Sequence, residues 1–120
     1  MQAMLNFATA IATARLARAI LARGLDPCFG FLHEGRKPGR MSLVWDAVEP
    51  LRPRIVRAVF EYVKTHEFEK KDFLVFVHKI GGERTIRLAP RLAKEIAALA
   101  LKTISVRECV RITDWLVKLL

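Results

Sequence analysis

The sequence predicts a mostly α-helical fold, a helical bundle that includes one possible small β-hairpin around residues 73–88. Apolar residues recur every three or four positions through most of the chain, which is the spacing of an amphipathic helix. No repeat or linker divides the 120 residues, a length typical of a single domain. Hydrophobic residues make up 52% and charged residues 28%, a composition that excludes disordered and fibrous proteins.

The first helix is predicted over residues 2–23, which are rich in Ala, Leu and Ile at helical spacing. Arg23 and Gly24 follow as a stop signal, because a basic side chain suits the last turn and glycine suits the residue after it. Asp26 and Pro27 then predict a turn that leads out of the helix.

A second helical region is predicted to begin at Ser42, whose hydroxyl suits an N-cap. This helix should be short, because Pro50 and Pro53 lack the backbone N–H that a helix interior needs. A further amphipathic helix is expected over residues 54–65.

The last third of the chain predicts the hairpin and two more helices. The segments 73–78 and 85–88 flank Gly81 and Gly82, a pair typical of a tight connection between antiparallel strands. A helix is then expected from Pro90 to about Leu101. The last helix is predicted over residues 106–120, with Ser105 as its cap.

The charge balance indicates a polyanionic partner. Lys and Arg number 21 against 12 Asp and Glu, which gives a formal net charge of +9. An excess of this size on a small domain most often indicates a nucleic-acid partner and sometimes an acidic membrane surface. Two cysteines, Cys28 and Cys109, form no disulfide framework and favour a reducing cytoplasm. We found no uninterrupted apolar run of the length that spans a membrane, so no membrane partner is expected.

One group of residues in the first half of the chain suggests metal chemistry. Asp46 and Glu49 are three positions apart on a predicted helix, so their carboxylates are neighbours, with Cβ atoms about 5–6 Å apart. His33 precedes this helix by a loop that is short enough to fold back. A histidine and two carboxylates are ligands for Mn²⁺ or Mg²⁺. The commoner interpretation of this spacing alone is a solvated carboxylate pair and a structural histidine.

Basic residues on both sides of this group suit phosphodiester chemistry, because phosphates need cations around the metal. They are Arg36, Lys37 and Arg40 before the helix and Arg52, Arg54 and Arg57 after it. His66 and His78 have no carboxylate at useful spacing and are expected on the surface. Trp45 and Trp115 are expected to anchor a core or an interface.

Six motifs in a fixed order give the chain a family resemblance. Together they closely resemble the C-terminal helical lobe of the CRISPR-associated protein one family, the integrase that inserts new spacers into CRISPR arrays. The resemblance covers essentially the whole chain and is densest from residue 4 to about residue 57. The motifs are Met4-Leu5-Asn6-Phe7, Gly24-Leu25-Asp26-Pro27, Gly30-Phe31-Leu32-His33-Glu34, Gly39-Arg40, Ser42-Leu43-Val44-Trp45-Asp46 and Glu49-Pro50-Leu51-Arg52-Pro53.

The resemblance implies a metal-dependent endonuclease and integrase. It gives His33 and Asp46 the roles of ligands to Mg²⁺ or Mn²⁺, and Glu49 that of an accessory acidic residue; all three are predicted to be catalytic. The metal would organise attack on a phosphodiester by a 3′-hydroxyl or by water. The predicted DNA-binding residues are Arg36, Lys37, Arg40 and Arg52.

The resemblance also implies a homodimer that holds duplex or branched DNA together with the small second protein of CRISPR adaptation. Family members have an N-terminal β-rich domain, which we expect to be absent here, and a further metal-binding glutamate ahead of the lobe. We therefore expect a single helical domain over residues 1–120 that is a truncated form with weakened metal binding and a tendency to self-associate.

Two other functions fit the sequence. One is a basic DNA-binding module without catalysis, in which the last two helices form a helix-turn-helix with Lys102, Arg107 and Arg111 near phosphates. The other is an inactive remnant of an integrase. Loss of metal binding on replacement of Asp46 would favour the integrase over the simple DNA-binding module.

Overall fold

A computed structural model describes residues 1–28 and 42–119. These residues form five α-helices and one antiparallel hairpin, which confirms the predicted fold class. The helices are α1 (Gln2–Ala22), α2 (Ser42–Val48), α3 (Arg52–Thr65), α4 (Pro90–Thr103) and α5 (Val106–Leu119), with 3₁₀ turns at Glu49–Leu51 and Lys70–Asp72 and the strands β1 (Phe73–Val77) and β2 (Arg84–Leu88).

Helix α1 lies at the centre of the fold and contacts each of the other four helices. Its buried residues follow the predicted helical spacing, and several of them are alanines, which let neighbouring helices approach closely. Arg23 and Gly24 end the helix as predicted, and Gly24 adopts a φ of +79°. The buried stripe consists of Met4, Ala8, Ala12, Leu16, Ala17 and Ile20.

By length and composition alone, α1 is also long and apolar enough to cross a membrane. One such helix near an N-terminus is weak evidence for a membrane span, because the core helix of a folded domain passes the same test. Here its apolar stripe packs against the other helices and supplies more buried residues to the core than any other single element.

Helices α2 and α3 form one nearly continuous helical run, with a 3₁₀ turn between them. Val48, Leu51 and Arg52 all have right-handed helical backbone angles, so the chain does not leave the helical region. The 3₁₀ turn lies where Pro50 and Pro53 remove two backbone donors, as the sequence predicted. Helix α3 therefore starts at Arg52, two residues earlier than expected.

The hairpin has the predicted position, and its strands end within one residue of the predicted limits. Phe73 pairs with Leu88 and Val77 with Arg84, and the connection contains Gly81 and Gly82 at φ +85° and +63°. Only the end of the hairpin that carries Phe73 and Leu88 reaches the core. Most of the remaining hairpin side chains are exposed.

Helices α4 and α5 both pack on α1, and each does so more extensively than on the other. They are therefore not the compact pair that a helix-turn-helix requires. The Arg15 side chain of α1 donates hydrogen bonds to the carbonyls of Leu101 and Ile104 at the end of α4, at 2.9 and 3.0 Å. These bonds satisfy carbonyl groups that the helix itself leaves without a partner.

An ion pair links α3 to α5. Arg54 donates a hydrogen bond to the Glu108 carboxylate and a second one, at 2.8 Å, to the carbonyl of Thr103. The hydrogen bond from Arg54 holds the pKa of Glu108 below its usual value. The pair fixes the start of α5 against α3.

Gly24→Ala is expected to lower the free energy of unfolding by about 1–2 kcal/mol, the usual cost of a left-handed backbone at a residue with a Cβ. An added Cβ would meet no atom within 4 Å, so the cost is that of the backbone alone. Urea unfolding followed by circular dichroism measures it. Gly24→Asn serves as the control and should cost less, because asparagine tolerates this conformation. Equal stability of the alanine variant and the unmodified chain would contradict the left-handed helix end.

Glu108→Gln is expected to flatten the acid side of the stability profile. Because folding lowers the pKa of Glu108, its ion pair stabilises the fold above the ordinary carboxylate pKa of 4.5, and this contribution is lost as pH falls through the lowered value. The half-exposed pair should contribute about 0.2–1 kcal/mol. Urea unfolding at pH 3 and pH 6 should show a smaller difference for the variant than for the unmodified chain. An identical difference in both proteins would contradict the pairing.

Candidate metal centre

The two predicted carboxylates lie on consecutive turns of the α2–α3 run. Asp46 is in the last turn of α2, and Glu49 begins the 3₁₀ turn that follows. Their spacing of three residues makes them neighbours on the helical surface. Their environments differ: Asp46 is only 9% exposed, whereas the Glu49 side chain is 47% exposed.

Glu49 forms an ion pair with Arg52, one of the predicted DNA-binding residues. The Arg52 Nε donates to Glu49 Oε1 at 3.1 Å, and both side chains are half exposed. A carboxylate has about four acceptor positions, so this single bond leaves Glu49 able to accept others. Arg52 in turn keeps its guanidinium at the surface beside the carboxylates, where a phosphate could approach.

The backbone of Pro27 holds the start of α2 in place. Its carbonyl accepts hydrogen bonds from the N–H groups of Leu43 at 2.8 Å and Val44 at 3.4 Å. Two of the donors that a helix start leaves without a partner are satisfied in this way. Ser42 is therefore not the predicted N-cap: its hydroxyl oxygen is buried and has no hydrogen-bond partner among the described residues.

Four of the predicted site residues, His33, Arg36, Lys37 and Arg40, lie outside the described residues. The structure does fix both flanks of their segment, because Pro27 on one side is hydrogen-bonded to Leu43 on the other. The Asp26 carboxylate also accepts a hydrogen bond from the Cys28 N–H at 2.9 Å, which confirms the predicted turn.

A groove of about 390 Å³ runs beside the carboxylate-bearing helix. Trp45 and Arg52 line one side of it, and the other side is a face of α1 with small side chains, among them Asn6, Thr9 and Thr13. Trp45 is half-buried there, which agrees with its predicted role as an anchor. The sequence had not indicated that this α1 face lies next to the candidate site.

The other histidines are surface residues, as predicted. The His66 ring stacks on Tyr62 with centroids 3.8 Å apart, and His78 Nε2 is 2.8 Å from the Thr85 hydroxyl across the hairpin. Burial, together with a hydrogen bond to Glu95, raises the pKa of Tyr62 to about 12. In the described part of the chain, no three His, Cys, Asp or Glu side chains cluster closely enough to hold a metal ion.

Comparison with known protein families identifies the family of this chain. The family model "CRISPR associated protein Cas1" matches residues 1–100. The chain therefore belongs to the Cas1 family, and the resemblance noted in the sequence is confirmed.

Individual relatives match shorter stretches. The chain is 45% identical over 60 residues to the CRISPR-associated endonuclease Cas1 of Korarchaeum cryptofilum, which covers 50% of this chain and 17% of that protein. It is 37% identical over 94 residues to CRISPR-associated endonuclease Cas1 2 of Pyrobaculum aerophilum, covering 78% and 29% respectively. Less than a third of either relative is therefore matched.

A solved structure shares the fold. A casposase bound to integration product superposes with a TM-score of 0.77 at 28% identity, over 98% of this chain and 35% of that one. The superposition includes nearly all of α5, which the family model does not reach.

Ser42→Ala is expected to leave the free energy of unfolding unchanged or to raise it by up to about 1 kcal/mol, because it removes a buried hydroxyl that has no partner within residues 1–28 and 42–119. Ser105→Ala is the matched control: the Ser105 hydroxyl accepts a hydrogen bond from the Glu108 N–H at 3.2 Å, so its loss should cost about 1 kcal/mol. Urea unfolding of both variants tests the contrast. If Ser42→Ala costs as much as Ser105→Ala, the Pro27 carbonyl does not replace the serine as the cap of α2.

Proposed function

We propose that this chain carries part of the active site of a metal-dependent DNA endonuclease and integrase that acts in CRISPR spacer acquisition. Membership of the Cas1 family carries the proposal, and relatives named as endonucleases support it. The casposase in complex with its integration product supports strand joining as the class of reaction. Asp46 and Glu49 supply the local chemistry.

The donor set suits a hard divalent cation, Mg²⁺ or Mn²⁺. Asp46 and Glu49 offer carboxylate oxygens on one helical run, and such cations prefer oxygen ligands. In our proposal His33 joins them. It is six residues from Pro27, whose carbonyl binds the start of α2, so the chain can carry it at most about 20 Å from that point.

The roles of the residues follow from their environments. Asp46, nearly buried, is proposed as the fixed ligand, and Glu49, half exposed and held by Arg52, as the accessory one. Arg52, with Arg36, Lys37 and Arg40, would neutralise and position the phosphates. When bound, the metal would activate an attacking hydroxyl or water and stabilise charge on the phosphodiester oxygens.

The proposed assembly extends beyond this chain. Duplex or branched DNA is the proposed substrate, and the net charge of +9 favours its approach. We propose that the chain forms a homodimer, that this dimer binds the small second protein of CRISPR adaptation, and that the assembly is located in the cytoplasm. Residues outside this sequence or on a partner would complete the metal shell, because two or three ligands from this chain leave it open.

Asp46→Ala and His33→Ala are each expected to weaken Mn²⁺ binding at least tenfold and to abolish Mn²⁺-dependent cleavage of a branched DNA, because each removes a direct ligand. The spin-resonance signal of free Mn²⁺ measures binding, and gel electrophoresis measures cleavage. Glu61→Ala is the control, since Glu61 is an exposed carboxylate on α3 that pairs only with Lys64 among the residues described.

The result separates three cases. Cleavage that is lost in both ligand variants and kept in Glu61→Ala supports the proposal. Mn²⁺ binding that survives Asp46→Ala contradicts the proposed ligand. DNA binding without cleavage or Mn²⁺ binding in any protein, including the unmodified chain, supports the DNA-binding module without catalysis.

A further inference from the structure

The outer face of α5 is a second surface whose chemistry points to a ligand. One side of the helix carries Cys109, Thr113 and Leu116, which are buried against the rest of the domain. The opposite side is open to solvent and combines basic residues with an exposed tryptophan. This helix lies beyond residue 100, where the match to the family model ends.

Three basic residues form a row along this outer face. Arg111 is four residues and Lys118 eleven residues after Arg107, which corresponds to about one and about three helical turns. All three are exposed. The row is about 16 Å long, the length of about five nucleotides of a stacked strand.

Trp115 stands beside this row. It follows Arg111 by four residues and precedes Lys118 by three, so its ring neighbours both cations on the helical surface. Its side chain is 59% exposed, and it is one of several large apolar side chains that α5 leaves exposed, among them Val106 and Val110. Of the two roles that the sequence suggested for Trp115, a core anchor or an interface anchor, its exposure excludes the first, and its exposed ring is available for stacking.

The acidic residues of α5 do not neutralise the row. Glu108 is engaged by Arg54 of α3, and Asp114 forms an ion pair with Arg23 at the end of α1, at 3.3 Å. Each acid is therefore held mainly by an arginine from elsewhere in the domain, and Arg111 makes only a smaller contribution to the lowered pKa of Glu108. The row of Arg107, Arg111 and Lys118 keeps an excess of positive charge for an external anion.

We propose that the outer face of α5 binds single-stranded DNA, with phosphates along the Arg107–Arg111–Lys118 row and a base stacked on Trp115. A row of cations beside an exposed aromatic ring is the combination that binds single strands without sequence preference. A single strand fits better than a duplex, because the bases of a duplex are already stacked on one another. The surface is separate from the carboxylates of α2 and requires no metal.

Binding of a fluorescein-labelled twelve-nucleotide oligothymidylate, measured by anisotropy in EDTA, tests the proposal. Trp115→Ala should weaken binding about five- to hundredfold, whereas Trp115→Phe, which keeps an aromatic ring, should stay close to the unmodified chain. Binding of a duplex of equal length should respond little to either change. Sedimentation of the variants checks that their oligomeric state is unchanged.

Salt dependence tests the basic row separately. The double variant Arg111→Gln/Lys118→Gln should reduce the slope of log affinity against log salt by about 1.4, since each phosphate contact to a single strand contributes about 0.7. The matched control, Arg91→Gln/Lys94→Gln, removes one arginine and one lysine from exposed positions of α4 and should leave the slope unchanged.

Equal effects of the two double variants would overturn the proposal, because only net charge would then matter. It would also be overturned if Trp115→Ala changed the oligomeric state but not DNA affinity, since the face would then be a protein interface. Because EDTA removes the metal, failure here leaves the proposed active site untouched, and failure of Mn²⁺-dependent cleavage leaves this surface untouched.

Discussion

The packing of the other helices against α1 is the interaction on which the rest of the structure depends. Each of the other four helices contacts α1, and the alanines on its buried face, Ala8, Ala12 and Ala17, allow them to come close. Helices of seven or fourteen residues are marginal by themselves in water, so burial against a common partner stabilises them. The hairpin reaches the core at one end only, where its second strand contacts α1.

The position of the candidate metal centre is determined by the segment that follows the end of α1. Gly24 turns the chain, Asp26 fixes the following turn, and the Pro27 carbonyl then receives the first amides of α2. Asp46 and Glu49 follow on the helical run that starts there. The location of the carboxylates is thus set by a backbone contact rather than by the Ser42 side chain.

Ion pairs give the surfaces of α5 and α2 different charge distributions. Glu49, Glu108 and Asp114 each pair with an arginine, and the last two pairs join different helices. The acidic residues of α5 therefore pair with arginines of the same domain, and the basic row on its outer face remains exposed to solvent. Near α2 the Glu49–Arg52 pair instead keeps both signs of charge together, as a site for a cation and a phosphate requires.

The sequence by itself determined the fold class, the helix limits to within about two residues and the family, because periodicity, glycine and proline positions and ordered motifs are local signals. It also predicted that Asp46 and Glu49 are neighbours, because residues three positions apart lie side by side on a helical surface. Only the tertiary structure decided that Pro27 rather than Ser42 caps α2, that α4 and α5 pack on α1 instead of pairing, and that Trp115 faces solvent. These depend on contacts between residues far apart in the chain, which local patterns do not encode.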